Sequence, residues 1–236
     1  MTAKELLDAG KVREAESALT AALRDNPTDV AKRTFLFELL CFSGQFSRAE
    51  KQLSVLAQGG HEAEMGAVLY FSALHAEKLR HEMFQKQEFP ESPAAKSPPG
   101  KLNGKPFESI ADADPEIGAR LEVYAAGAYL WIPFEHIGSV NIDPPKMLRD
   151  TLWTPAFVLT GPSFKGTDIG QVIIPAIYPF SWKSDDPTLW LGQGTEWVAD
   201  DEGNRFPVGQ KTFIVDGEEV PLLEIRSLEF ASHAAS

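Results

Sequence analysis

Along the first 85 residues the apolar positions recur at helical spacing; beyond about residue 107 they fall into short runs or alternate with polar ones. The first pattern predicts helices over 3–9, 12–24, 29–43, 46–57 and 62–84. Asn26-Pro27 and Gly59-Gly60 break it after the second and fourth, and Ser47 stands where a cap would open the fourth. Laying the chain over itself at an offset of 34 brings Leu6 onto Leu40, Gly10 onto Gly44, Ala15 onto Ala49, Glu16 onto Glu50 and Leu19 onto Leu53. GKVREAESAL and GQFSRAEKQL are one pattern written twice.

A helical period of 34 is tetratricopeptide spacing. In such a repeat the glycine ends the first helix in a left-handed conformation, the alanine lets two helices approach closely, and the leucines fill the groove between them. Two repeats and one further helix make a short solenoid that cannot cover its own apolar faces, so it is expected to lean on the second half of the chain.

Residues 89–106, FPESPAAKSPPGKLNGKP, are rich enough in Pro and Gly to read as a linker or long loop. Beyond them, short runs of Val, Ile, Tyr, Phe, Trp and Thr separated by turn residues predict antiparallel strands. RLEVYAAGAYLWIP reads as a hairpin turning at Ala126-Gly127, and TFIVDGEEVPLLEI as another turning at Asp216-Gly217. PAFVLT and QVIIPAIYP add strands, a short helix is expected near 145–152, and Pro133, Pro155, Pro175 and Pro179 belong at strand ends or edges. The fold class is therefore α+β: a tetratricopeptide-like helical domain over 1–88, the linker, an antiparallel β-domain over 107–230 forming a small curved sheet or barrel of five to seven strands, and a tail over 231–236.

Composition narrows the function. The net charge is −12, and residues 1–80 are nearly balanced, with ten Lys or Arg against eleven Asp or Glu, so the acid is concentrated later in the chain. Nucleic-acid binding depends on cations displacing counterions, so neither nucleic acid nor an anionic membrane suits this chain as a partner. No apolar run approaches the roughly 20 residues of a membrane span, and Lys4, Glu5 and Asp8 occupy the start where a signal peptide would be apolar. The expected location is the cytoplasm. Cys41, the lone cysteine, sits in an apolar run and reads as a buried hydrophobe.

No catalytic constellation, cofactor fingerprint or metal site emerges. His61, His75, His81, His136 and His233 show no ligand spacing among themselves or with Cys41, and no nucleophile elbow, phosphate loop or dinucleotide motif is present. Asp112 and Asp114 in DADPE have the spacing of a cation-binding pair, but an acidic turn bent by Pro115 explains them as well. All five tryptophans, Trp131, Trp153, Trp182, Trp190 and Trp197, fall in the β-domain. Most belong to its core, and Trp153 and Trp197 are candidates for an aromatic interface anchor. Arg149 with Asp150 reads as an ion pair locking the short helix to the sheet, or as a contact to a partner. Phe35, Phe42 and Phe46 are candidate groove residues of the repeats, with plain interhelical packing as the alternative.

The segments LEVYAAGAYLWIPFEHI, RDTLWTPA, PAIYP, LGQGTEWV and VGQKTFIVDGEEVPLLEI stand in the order and spacing of the ImpE family, also called TagJ, which the chain resembles over 3–85 and 107–229. Two departures stand out: Gln193, Gly194, Thr195 and Glu196 where the family has an Arg-Ala-Thr-Asp run, and Lys211 where it tends to have Arg, keeping the charge without the two-pronged geometry. The resemblance implies a non-enzymatic accessory protein of type VI secretion that binds the N-terminal helix of the small sheath subunit TssB and is thereby linked to ClpV-driven sheath turnover. Helix capture fits a helical-repeat groove. The competing readings are an enzyme acting on a sugar or nucleotide through Asp112 and Asp114, and a general tetratricopeptide scaffold or chaperone adaptor gripping a partner's tail.

Overall fold

The structure, a computed structural model, describes residues 1–90, 95–166, 169–199 and 203–231. Its helices are α1 (Ala3–Asp8), α2 (Val12–Asp25), α3 (Val30–Phe42), α4 (Phe46–Leu56) and α5 (His61–Lys86), with a one-turn α6 (Pro187–Trp190) much later. Thr2 and Glu5 form a capping box on α1, and the Asp29 carboxylate caps α3. Ser47 lies inside α4, whose N-cap is Gln45.

The repeated residues do matching work. Gly10 and Gly44 take φ +74° and +69°, and the following amides, of Lys11 and Gln45, donate back to the carbonyls of Leu6 and Leu40 at 2.8 Å each. Both first helices of the repeats are thus closed by the same left-handed glycine cap. Ala15 and Ala49 are 0% exposed where paired helices meet, and Leu19 and Leu53 are buried beside them.

The strands are β1 (Gly100–Leu102), β2 (Lys105–Phe107), β3 (Ile110–Asp112), β4 (Arg120–Ala125), β5 (Ala128–Pro133), β6 (Ile137–Ile142), β7 (Trp153–Thr160), β8 (Gly170–Pro175), β9 (Thr195–Ala199), β10 (Arg205–Gly209), β11 (Thr212–Val215), β12 (Glu218–Pro221) and β13 (Ser227–Phe230). They form an antiparallel sheet ordered β2-β1-β13-β6-β7-β8-β4-β5, a sheet β12-β11-β3 and a pair β10-β9. The domain is thus larger than a five-to-seven-strand sheet, and none of these sheets closes into a barrel. Most of the added strands are only three to five residues long, too short to carry a visible alternation among turn residues.

The hairpins at Ala126-Gly127 and Asp216-Gly217 have positive φ at both central residues, as primed turns require. A third of the same kind, at Asn103-Gly104, joins β1 to β2 inside the stretch expected as a linker. The Asn103 side chain pins it by accepting from the amides of Arg226 and Ser227 and donating to the Glu224 carbonyl. Residues 89–106 are therefore partly sheet, and 91–94 of them, like 232–236 of the expected tail, lie outside the described residues. Pro155 lies within β7, one residue before β6 begins to pair with it.

Alternate residues of the strands serve two cores. Leu121, Val123, Ala156, Val158, Val172 and Ile174 face the three-stranded sheet with Phe213 and Leu222. Tyr124, Trp153, Ile173, Ile177, Trp190 and Leu191 face the opposite way and join a core with Leu39, Leu40, Phe42, Leu53 and Leu74 of the helices. The solenoid does lean on the β-domain, to the point of sharing a core with it.

Gly44 makes that junction tight. A Cβ there would lie 2.3 Å from the Trp182 ring, whereas one at Gly10 would meet nothing within 4 Å. Both glycines have left-handed backbone, so they differ only in the contact. Gly10→Ala is expected to cost about 1 kcal/mol of unfolding free energy and Gly44→Ala about 2–4 kcal/mol, read by urea denaturation.

A buried charged junction and an open apolar groove

Helical spacing puts Glu77, Arg80 and His81 on the face of α5 turned toward the sheet, and alternation turns Glu122 of β4 back at them. Arg80 reaches Glu122 with Nε at 2.8 Å and a terminal nitrogen at 3.0 Å, and donates to the Ile177 carbonyl at 2.9 Å. Lys211 extends the chain of charges, its Nζ lying 2.5 Å from Glu122 and 2.6 Å from Asp112. Tyr129 donates to Glu122 and Tyr178 to Asp112, the latter at 2.8 Å. Glu77 accepts from Tyr124 at 2.6 Å and from the Trp153 indole at 2.8 Å, and meets His81 Nε2 at 2.8 Å. Arg80, Glu122 and Lys211 are at most 1% exposed.

Burial alone would neutralise these carboxyls. For Glu122 the charges of Arg80 and Lys211 overcome it and hold the pKa at about 2. For Glu77 the contacts with His81, Arg80 and Tyr124 do the same, again to about 2. Burial lowers the His81 pKa, so its ring is neutral near pH 7 and Nε2 carries the proton donated to Glu77. The ring is enclosed by Phe46, Phe180 and Trp182, with centroids 5.2, 5.0 and 4.5 Å away.

On the outside of the same junction lies a trough of about 620 Å³, walled by Met65, Val68, Leu69 and Ser72 of α5 and floored by Pro155, Phe157, Gln171 and Ile173. Trp153 and Tyr124 also line it. Met65, Val68 and Leu69 are 61, 55 and 53% exposed, and Phe157 43%. Lone exposed apolar residues are ordinary, but a contiguous concave set is a feature of interaction sites.

A family model described as "ImpE protein" matches residues 104–229, and a tetratricopeptide-repeat model matches 6–69. The type VI secretion system accessory component TagJ of Pseudomonas aeruginosa is 32% identical, with 98% of this chain and 91% of that protein covered. The chain belongs to the ImpE family. A crystal structure of a Vibrio parahaemolyticus protein shares the fold, with TM-score 0.84, 20% identity and 98% of each chain covered.

This ImpE chain distributes the residues singled out in its sequence unevenly. Phe42 and Trp153 are each 2% exposed and belong to the shared core, so neither offers a surface to a partner; Trp153 only closes the inner end of the trough. Phe35 is partly buried against the same core, and Phe46 packs edge-on to Trp182 with centroids 5.5 Å apart. Arg149 locks elements together, but not through Asp150: its guanidinium lies 2.7 Å from Glu38 of α3 and over the Tyr70 ring, while Asp150 accepts the amides of Lys146 and Met147. Trp197 lies apart in β9, with the Arg205 guanidinium 5.8 Å from its ring. The short helix is a single 3-10 turn, Leu148–Thr151.

Asp112 and Asp114 make the acidic turn, each accepting the amide two residues on. No group of three potential metal ligands occurs among the described residues. Lys211 occupies the Asp112 carboxylate as a compact point charge shared with Glu122, a role that needs no planar fork. Glu77, Arg80 and Glu122 escaped the sequence reading, although charges set inside the apolar middle of α5 and inside LEVYA were a usable signal. Met65, Val68 and Leu69 gave less, because apolar residues on a helix read first as core.

Asp114 marks a pH-sensitive point. Burial, then the neighbouring Asp112, raises its pKa to about 6 from 3.8. The folded state thus holds this proton more tightly than the unfolded one, and the stabilisation present below about pH 4 is lost as pH rises through 6. Asp114→Asn keeps the oxygen that accepts from Glu116 and is expected to raise stability by about 1–3 kcal/mol at pH 7.5, a gain that disappears near pH 4. Lys211→Met strands two buried carboxylates and is expected to cost about 3–5 kcal/mol. Denaturant titrations of both variants across pH 4–8 read these effects.

Proposed function

We propose that this protein is a non-enzymatic, cytoplasmic adaptor of the type VI secretion system that captures the N-terminal helix of the small sheath subunit TssB and so bears on sheath assembly or ClpV-driven recycling. Membership of the ImpE family and whole-chain similarity to an accessory component of that system support the setting. The observation that carries helix capture is the open apolar trough beside α5, since an amphipathic helix laid in such a groove is a recurrent mode of peptide recognition.

The enzyme reading loses its chemistry: Lys211 and Tyr178 already occupy the Asp112 carboxylate, and it is 3% exposed. The tail-gripping scaffold needs an open repeat face. Here the face carrying Phe37, Glu38, Tyr70 and Glu77 is covered by Trp153, Arg149 and Tyr124 of the chain's own β-domain. No helix of the described residues is long and apolar enough to cross a membrane.

Calorimetric titration with a synthetic peptide spanning the TssB N-terminal helix, beside a scrambled control, tests the proposal. Saturable binding of the true sequence alone, with a negative heat-capacity change, is expected from burial of an apolar helix face. Absence of binding at high micromolar peptide removes this partner.

A further inference from the structure

We infer that the cleft between the end of α5 and the β3–β4 turn is a second binding site, which receives a lysine or arginine side chain of a partner protein on the Asp114 carboxylate. It shares no lining residue with the trough and does not depend on helix capture there.

The cleft encloses about 770 Å³. Its walls are the half-buried rings of Phe84, Phe89, Phe180 and Phe206, completed by buried Pro179 and Pro207. Asp114, 5% exposed, is the only ionisable side chain among the buried lining residues. One of its oxygens accepts the Glu116 amide at 3.0 Å; the other meets no donor and no cation among the described residues. Glu116, Lys183 and Arg205 stand exposed at the mouth. Lys183 Nζ lies 4.3 Å from the centre of the Phe180 ring and the Arg205 guanidinium 5.8 Å from that of Trp197, and neither pairs with Asp114.

Charge selects a cation. Behind the cleft the buried junction holds four carboxyls, of Glu77, Asp112, Asp114 and Glu122, against two cations, Arg80 and Lys211, and His81 is neutral near pH 7. Lys211 is already shared between Asp112 and Glu122, which leaves Asp114 without a cation of its own. A buried carboxylate so placed is relieved by a proton or by a positive charge brought from outside. Below about pH 6 the free protein takes the proton, because burial and the neighbouring Asp112 raise the Asp114 pKa to about 6; above it the carboxylate stands uncompensated. The walls suit the second remedy, since ring faces attract ammonium and guanidinium groups and cover the methylene stem behind them. A cleft of this size holds a side chain together with the residues on either side of it, which favours a partner's polypeptide over a free amine.

The test is NMR titration of the isotope-labelled full chain with N-acetyl-arginine methylamide, beside the matching norleucine and glutamate compounds and n-butylguanidine, which carries the same head group without the peptide. The Glu116 amide, bonded to Asp114, is the reporter. At pH 7.5 the arginine compound is expected to bind saturably and the norleucine one about tenfold more weakly. Asp114→Asn, expected above to be more stable than the parent at this pH, should weaken the arginine compound about tenfold. Lowering the pH to 5 should weaken it about as much in the parent but not in the variant, which separates Asp114 from Asp112, Glu116, Glu122 and His81 around it. A bound cation stabilises the ionised carboxyl, so the Asp114 midpoint, about 6 when free, should fall by about one pH unit at saturation, read from its carbon shift. Lys183→Met removes a like charge from the mouth and should tighten binding about twofold. Equal binding of the norleucine compound, unchanged binding to Asp114→Asn, or no saturable shift with the arginine compound overturns the site. Binding of the glutamate compound that Lys183→Met abolishes makes it an anion site and overturns the charge assigned to its occupant. Tighter binding of n-butylguanidine than of the arginine compound makes a free small cation the occupant and overturns the protein partner.

Discussion

The ion chain Arg80–Glu122–Lys211–Asp112 is the constraint on which the arrangement of helices and sheet depends. Each member is nearly or wholly buried, and a buried charge without a partner costs several kcal/mol. The cations come from α5 and from the turn before β11, the anions from β4 and β3. Only Arg80 of the four lies on a helix, so its contacts with Glu122 and the Ile177 carbonyl are what set α5 against the sheet. Apolar contact alone would tolerate sliding, whereas a guanidinium engaging one carboxylate with two nitrogens does not. Glu77 adds a second such point, taking hydrogen bonds from Tyr124 and Trp153 of two different strands.

The open apolar residues of α5 lie toward its N-terminal end, beside the sheet. Leu69 stacks on the same side of α5 as Ala73, Ala76 and Arg80, which are buried, so it is left open by its place along the helix and not by facing away from the sheet. On β7, Phe157 and Leu159 are each 43% exposed. The trough is walled by a helix and floored by a sheet, and a groove built of regular elements costs little conformational entropy when it is filled. The repeats take part by giving up their usual binding face. Trp182 over Gly44 and Trp153 against Phe37 fill it from within the chain.

Much of the helical half was legible because its signals are local. The Leu6/Gly10 and Leu40/Gly44 pairs encode the same cap geometry twice, and that geometry is what a fixed offset detects. Hairpins at Ala126-Gly127 and Asp216-Gly217 were legible for the same reason. Asn103-Gly104 sends an equally clear turn signal, but its flanking strands have three residues each and sit among prolines, so composition concealed them. The site was harder to read. Pairing Arg149 with Asp150 follows sequence adjacency, while its actual partner Glu38 lies 111 positions away on α3. Long-range pairing of this kind leaves no trace in spacing.

The aromatic residues show where a type-based argument misleads. Tryptophan is frequent at interface hot spots, and it is also the side chain best suited to closing a junction between layers, since its ring fills volume while its N–H satisfies a buried acceptor. Trp153 does the second by donating to Glu77, and Trp190 by donating to the Ser184 carbonyl. A tryptophan bound in this way is committed to the fold. The large apolar residues that the fold leaves exposed are mostly aliphatic or flexible ones, such as Met65, Val68 and Leu69, with Phe157 an aromatic one. Such side chains adapt to the packing of an incoming helix at small cost, so an adaptor's surface is better sought in apolar residues displaced from the core than in its most conspicuous aromatics.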